Sequence, residues 1–318
     1  KLNGSAGSLT FKQVNGQTVV SEKATTVKNT RTPAQQRQRT KWGNVVQMYK
    51  GICPLINYGF ESKAPGCSDY NMFMKVNMKN SDIYLTREEV AGGACIAAPY
   101  QLTQGTLPSI VIVGSGENAR TDIKLGDLKI DANTLVKDFA MAVVSNNADY
   151  DFGDQISFFD VLQRVNAVTG IPYCQFFATN VMLDKTSEVK LLDIVSKYGF
   201  ATVDGYLGHI EGEGDGVYAW VHSRKSSAKT LVSTQSFVNN NTEMIAEYSG
   251  DQAYKRSVQT YGGESSSFLT PGTTTTQATD GSVPPVDDSG SGGSGSDSGS
   301  GSDSGGGSTP GQGGGIYE

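Results

Sequence analysis

Histidine, cysteine and tryptophan are scarce in this chain of 318 residues, at two, four and two copies, and the first two scarcities narrow the chemistry available. His209 and His222 have no cysteine or acid at zinc-ligand spacing, so no zinc site is expected. Cys53, Cys67, Cys95 and Cys174 are dispersed and form no Cys-x-x-Cys pair, which argues against a disulfide scaffold. Four separate reduced thiols in a protein made in the cytoplasm are the default; a Cys53–Cys67 bridge closing the loop through Pro65-Gly66 is the rival. Long apolar runs are also missing. Stretches such as Ile110–Val113 fall far short of the roughly 20 residues of a membrane span, and the polar, Gly-containing segment after Lys1 lacks the apolar region of a signal peptide. No Gly-x-Ser-x-Gly elbow is present, so the expectation is a protein with no enzymatic activity, no cofactor and no membrane contact.

Basic residues are absent from one end of the chain. Residues 271–318 contain 15 of the 39 glycines, six acids and no Lys or Arg, which is linker or disorder composition. The other 270 residues hold 26 basic and 26 acidic side chains, so the formal net charge of -6 belongs to the tail. Along the chain the charge is uneven: residues 1–80 carry 12 Lys and Arg against three acids, while residues 81–318 carry 14 against 29. Such asymmetry suits either an anionic partner or head-to-tail contact between copies.

The N-terminal region reads clearly. Ser8–Val14 and Gln17–Val20 flank Asn15-Gly16, a hairpin signal. Thr32, Pro33 and Gln35 have the spacing of an N-cap, a first helical residue and a capping box. The helix they start should stop before Pro54, with Trp42, Val45, Val46, Tyr49 and Cys53 at helical spacing on its inward face and polar residues on the others. A second helix is expected from Ser68 or Asp69 to Asn80, presenting Tyr70, Phe73, Met74, Val76 and Met78, and the two should form a helical hairpin. Beyond Asp82 the texture turns to β, with strands expected at 109–113, 123–130, 141–144, 155–165, 173–183, 217–222 and 230–238, interrupted by a helical run at 188–198. The expected fold is α+β and β-dominant. Residues 1–107 form a hairpin and two helices, 108–263 an antiparallel β-sandwich-like region, and 264–318 a disordered Gly/Ser tail.

Arg31-Thr32-Pro33-Ala34-Gln35-Gln36-Arg37-Gln38-Arg39-Thr40-Lys41-Trp42, then Ile56-Asn57-Tyr58-Gly59-Phe60, then Asn77-Met78-Lys79-Asn80 carry a resemblance. They resemble the Pro-x-x-Gln-x-x-Arg-x-Lys-Phe and Ile-Asn-x-Gly-Phe signature of an uncharacterised domain-of-unknown-function family of gut Bacteroides-type bacteria and their mobile elements, with Trp42 standing for the Phe. The resemblance covers roughly the first 110 residues and recurs weakly at 217–238. It implies no catalytic residues, and similar starts in phage-encoded proteins point towards a virion or prophage product.

Two motifs suggest chemistry that their context withholds. Gly114-Ser115-Gly116-Glu117-Asn118-Ala119 begins like a dinucleotide fingerprint, but Thr121–Ile130 alternates like a strand where a helix is required, so a β-turn is expected. Glu211, Glu213 and Asp215 alternate like the first half of a calcium loop, but His222 occupies the position of the bidentate Glu; a hairpin turn is expected, with a weak cation site as the alternative. That turn would place His209 across from His222.

The leading expectation is therefore a non-enzymatic structural or assembly protein of a phage or related mobile element, particle-associated and self-assembling. Its partner-binding candidates are Arg37, Arg39, Lys41 and Trp42, the last becoming an interface residue if exposed, together with the apolar-acidic Ile316, Tyr317 and Glu318, which would dock in a basic-rimmed pocket on another copy. The alternatives are a nucleic-acid-binding accessory protein using the basic helix and a surface- or carbohydrate-binding β-sandwich.

Overall fold

The structure is a computed structural model that describes residues 3–14, 17–23, 32–56, 58–114, 119–195, 200–209, 215–227 and 229–261. The segment 264–318, expected as a disordered tail, and the turn at Asn15-Gly16 itself lie outside these residues. Strands β1 (Gly4–Ala6), β2 (Leu9–Val14) and β3 (Gln17–Glu22) form a three-stranded antiparallel sheet, with Val14 paired to Gln17 as the hairpin reading requires. Helix α1 (Pro33–Ile52) starts as its sequence demands: Thr32 Oγ1 accepts the Gln35 N–H, and Gln35 Oε1 accepts the Thr32 N–H at 3.1 Å. Helix α2 (Asp69–Asn80) is capped by Ser68, and Tyr49 of α1 meets Tyr70 and Phe73 of α2 at ring separations of 5.2 and 5.3 Å. The helical hairpin is therefore present.

There follow α3 (Arg87–Ala91), β4 (Gln101–Thr103), β5 (Ile112–Val113), β6 (Arg120–Lys124), α4 (Val136–Asn146), β7 (Gln155–Val165), β8 (Pro172–Met182), α5 (Leu191–Ile194), β9 (Phe200–Val203), β10 (Tyr206–His209), β11 (Gly216–Lys225), β12 (Thr230–Val232), β13 (Gln235–Ser236), β14 (Val238–Asn239), α6 (Thr242–Tyr248) and α7 (Gly250–Thr260). Every ladder between strands is antiparallel, and the fold is α+β and rich in strand.

The middle of the molecule is the sheet β12-β11-β7-β8, with β14 also on β11. Its period of two sorts its side chains into two cores. Phe159, Val161, Val217, Ala219 and Val221 face a layer made by α1, α2 and the segment 94–102, meeting Val45, Met48, Ile52, Phe73 and Ile96. Ile156, Phe158, Tyr218 and Trp220 face a layer made by α4 and the sheet β5-β6-β10-β9, meeting Ile123, Phe139, Val143, Phe200 and Leu207. A sheet covered on both faces explains near-continuous apolar runs where a half-exposed strand would alternate. Core residues from both sides of Leu107 belong to the first of these clusters.

The structure corrects several expectations. Met141–Val144 belongs to helix α4: a four-residue apolar run has no readable period, and Val136, Phe139, Ala140 and Val143 mark a helical face that the short run concealed. The strand expected at 123–130 ends at Lys124 because Leu125 begins a turn through Gly126 at φ 61°. The strand expected at 109–113 is only Ile112–Val113, 230–238 is broken into β12, β13 and part of β14, and the helical run shortens to α5. Helices α6 and α7 lie in a stretch to which no element had been assigned.

The inward face of α1 is only partly the expected one. Val45 is fully buried and Val46 and Tyr49 pack against the first core, but Trp42 is 47% exposed, Cys53 is exposed, and a buried stripe runs Gln36, Thr40, Asn44, Met48, Ile52 at intervals of four. Its polar half has a purpose. The segment Ala94–Ala98 is buried without regular structure, so its backbone groups need partners from side chains. Asn44 accepts the Ile96 N–H at 2.7 Å and donates to the Ile96 carbonyl at 3.0 Å. Gln163 accepts from Ala97 at 2.8 Å and donates to the Cys95 carbonyl at 3.1 Å, while Asn241 donates to the Ala97 carbonyl at 3.0 Å. Each pairing removes a desolvation cost of about 1–3 kcal/mol for an unmet buried group.

Candidate functional site

The family-like signature at residues 56–60 leads into a structural clamp. Phe60 bridges Gln104, and Glu61, its side chain 2% exposed, accepts from the backbone N–H and the hydroxyl of Thr106 at 3.0 and 2.9 Å and from the Val232 N–H at 2.6 Å. Burial alone would raise the Glu61 carboxyl, but these donors and Lys229 hold it below its ordinary value. Glu61 thus ties the loop after α1 to β12. Its acceptor positions are used by the fold.

The arrangement that most resembles catalytic machinery is equally enclosed. Asp154 lies 2.8 Å from His222 Nε2 and accepts two bonds of 2.7 Å from Arg224, which also reaches Asp151 at 2.9 Å. Burial would raise the Asp154 carboxyl, yet Arg224 and His222 hold it far below the usual carboxylate range. Tyr150 stacks on the His222 ring at 4.3 Å, and that ring is 0% exposed with Nδ1 unpartnered. Nε2 is the ring nitrogen directed at Asp154. An imidazole sealed in this way can orient the chain between Asp149 and Asp154 against β11, but it cannot reach a substrate. His209 is on β10, in a different sheet from His222 on β11, so the two are not cross-strand neighbours. The separation follows from β10 pairing with β9 and β6, whereas β11 pairs with β7, β12 and β14.

Asp215 is exposed, and its carbonyl accepts the Gln163 N–H at 2.8 Å; Glu211 and Glu213 lie outside the described residues. No cluster of three metal-ligating side chains occurs among the described residues. Strand β6 follows β5 where a nucleotide fold needs a helix, although residues 115–118 between them are outside the described set. All four cysteines are free, and Cys174 lies beside Cys95, donating its thiol to the Cys95 carbonyl at 3.3 Å. Burial pushes the Cys174 thiol well up, the opposite of an activated nucleophile. A cleft of about 560 Å³ opens between the end of α2 and the start of α7. Asn77, Asp82, Tyr84, Tyr100 and Asp251 line it, with no basic side chain.

The basic candidates on α1 are turned towards the chain itself. Lys41 pairs with Asp82 at 3.3 Å and lies 5.5 Å from the Tyr84 ring; burial raises the Tyr254 and Tyr261 hydroxyls, and the charges of Arg37 near the first and Arg39 near the second oppose that rise. These cations join α1 to the 82–84 segment and to α7. Trp42 alone of the four candidates there is more than a third exposed. Ile316, Tyr317 and Glu318 lie outside the described residues.

The N-terminal sheet had not been singled out as a surface. Opposed residues in its ladders share a face, which places Ala6, Leu9, Phe11 and Val20 on one side with Gln13, Thr18 and Glu22 at its ends, and Ser5, Thr10, Lys12, Gln17 and Ser21, with Val14 and Val19, on the other. Leu9 is 42% and Val20 49% exposed. The alternation of Leu9, Phe11 and Val20 was readable in the sequence, but its lack of cover was not.

Residues 2–148 match a family of unknown function (DUF6266). The matched segment holds the N-terminal sheet, α1–α4 and β4–β6, while β7–β14 lie beyond it, including the weaker resemblance at 217–238. No curated protein and no solved structure matches the chain. No helix of the described residues is long and apolar enough to cross a membrane.

Proposed function

We propose that this chain is a non-enzymatic structural or assembly protein that acts through protein contacts, in a phage or related mobile element. The observation that carries the reading is the sheet β1-β2-β3, whose apolar face of Ala6, Leu9, Phe11 and Val20 is left largely open to solvent. A three-stranded sheet of this size needs a covering layer to be stable in water. Exposed apolar surface of this kind marks an interaction site. The mobile-element setting is supported by the sequence resemblance. The charge of the arm favours a partner of the same kind: residues 1–31 carry five basic residues and one acid, and residues 81–318 supply an excess of acids on the next copy. The enclosed His222 and the raised Cys174 thiol support a non-enzymatic role.

Light scattering on the full chain and on a chain lacking residues 1–31 tests this reading. The full chain is expected to gain mass with concentration and the shortened chain to lose that gain while keeping its helical and strand signal. Equal association by both would overturn it. Titration with single- and double-stranded DNA across a salt series separates the nucleic-acid alternative, for which affinity falls steeply with salt.

A further inference from the structure

We infer that the outer edge of β8 is a pairing surface for a second copy of this chain, two β8 strands meeting antiparallel about a twofold axis. The inference rests on the reading of the chain as an assembly protein but uses a different surface from the N-terminal sheet. Strand β8 ends the central sheet and is bonded to β7 alone among the described strands. The direction of its backbone groups follows from its two ends. The Ile171 carbonyl accepts from Asn166 on the β7 side, the Pro172 carbonyl turns away to accept from Cys95, and Leu183 again bonds Asp154 on the β7 side. The ladder runs from Val165↔Pro172 to Gln155↔Met182 without a shift. Even-numbered residues therefore direct N–H and C=O outward, and Cys174, Phe176, Ala178 and Asn180 find no backbone partner there among the described residues.

Protected edges carry charges, bulges or interior prolines. Pro172–Met182, PYCQFFATNVM, has no charged residue and no bulge, and its one proline stands at the first position. Tyr173 is 37% and Phe177 39% exposed on the face away from α1, and Met182, on the opposite face, is 54% exposed.

A second copy fits this edge because a twofold axis sets each side chain against its own counterpart or near it, so that any charge would meet its like. An uncharged strand meets no such repulsion. The Pro172 carbonyl being held by Cys95, the register that uses the open outward groups from Cys174 to Asn180 centres on Phe177. It pairs Cys174 with Asn180 and Phe176 with Ala178 of the other copy through their outward groups, giving about eight backbone hydrogen bonds. Phe177 then faces its own copy at a close, non-hydrogen-bonded position, where an aromatic pair stabilises a ladder. On the other face of the sheet Gly51 lets α1 lie directly on the Phe176 ring, where a Cβ would collide.

Sedimentation of the full chain as wild type and as Ala178→Pro tests the pairing. Proline at an outward position removes no bond to β7, so folding is expected to persist by circular dichroism while the associated mass falls by half. Phe177→Cys under mild oxidation is expected to give a disulfide-linked dimer well above the wild-type background, and Gln175→Cys is not. Unchanged mass in a folded Ala178→Pro chain, or no cross-link through position 177, overturns the inference; should Ala178→Pro fail to fold, the cross-link decides. Association that survives deletion of residues 1–31 but not Ala178→Pro sinks the arm reading and leaves this one standing. The reverse pattern sinks this one alone.

Discussion

Strands β3 and β11 both contain valine and both lie in antiparallel ladders, yet all six residues of β3 are exposed while Gly216–Ser223 of β11 is buried throughout. Strand pairing is available to both. What differs is cover: β11 lies between a helical layer and a second sheet, whereas β3 is hydrogen-bonded to β2 alone among the described strands. Ladder bonds exchange for bonds to water with a net of only about 1 kcal/mol each, so burial decides whether a sheet stabilises its own chain. On this view the central sheet holds the monomer together, and the N-terminal sheet finds its stabilisation in a partner.

The largest expected effect tests the central sheet. Trp220 is 1% exposed and packs against Phe158 and Phe200 at ring separations of 4.7 and 4.8 Å. Trp220→Ala should destabilise the chain by about 3–5 kcal/mol, read by urea unfolding. A loss below about 1 kcal/mol would mean that the second core can collapse onto the gap, and the contrast drawn here would weaken.

Two aspartates sharpen the comparison because burial in the same part of the molecule acts on them with opposite signs. Asp154 has its partners, and its carboxyl is held low; its contribution to stability is present above the unfolded value near 4 and is lost as pH falls through the folded value. Asp154→Asn should cost about 3 kcal/mol at pH 7. Asp160 is 9% exposed on β7, and burial pushes its carboxyl up to about 6, against the weaker opposing pulls of the Val161 N–H and Arg164. Its neutral form suits the fold, so its stability is present below pH 4 and lost as pH rises towards 6. Asp160→Asn should therefore stabilise the chain at pH 7 by roughly 1–3 kcal/mol and leave it unchanged at pH 4. Thermal unfolding of both variants at the two pH values checks the pair, and a parallel response would refute the assignment.

The legible parts of the fold were those in which local chemistry and tertiary cover agree. The Thr32 cap, the strands flanking Asn15-Gly16 and the long β7–β8 pair are set by contacts within a few residues or by a strong β pattern. Apolar spacing finds Val45, Val46 and Tyr49 on the inward face of α1 but places Trp42 there too and misses Gln36, Thr40 and Asn44, which are buried. Asn44 serves the irregular Ala94–Ala98 segment, more than 50 positions away, and no local pattern announces that need. Helix α4 was hidden by the ambiguity of a short apolar run. The candidate surfaces divide similarly. The basic cluster was visible, but the packing that ties Lys41 to Asp82 was not; the absence of charge in β8 was visible, but its place at the sheet edge depends on which strands pair.

The smallest expected effect on stability distinguishes the two sheets best. Val20 and Phe11 are directly opposed in the β2–β3 ladder, and Leu9 lies on the same face. Replacing Val20 or Leu9 with Lys adds charge to side chains already more than 40% exposed, so the unfolding free energy of the monomer should move by less than about 0.5 kcal/mol. The same substitution placed against a partner's apolar surface would leave a buried charge unpaired, and association measured by light scattering should be lost. A valine-to-lysine change at Val221, 0% exposed in the central sheet, should instead unfold the monomer before association can be asked about. If Val20→Lys destabilises the monomer by several kcal/mol, the arm is covered within its own chain and the division between a self-sufficient sheet and a partner-dependent one fails. If it leaves both stability and association intact, the apolar face of the arm is not the contact, and the edge of β8 remains to be judged by its own variants.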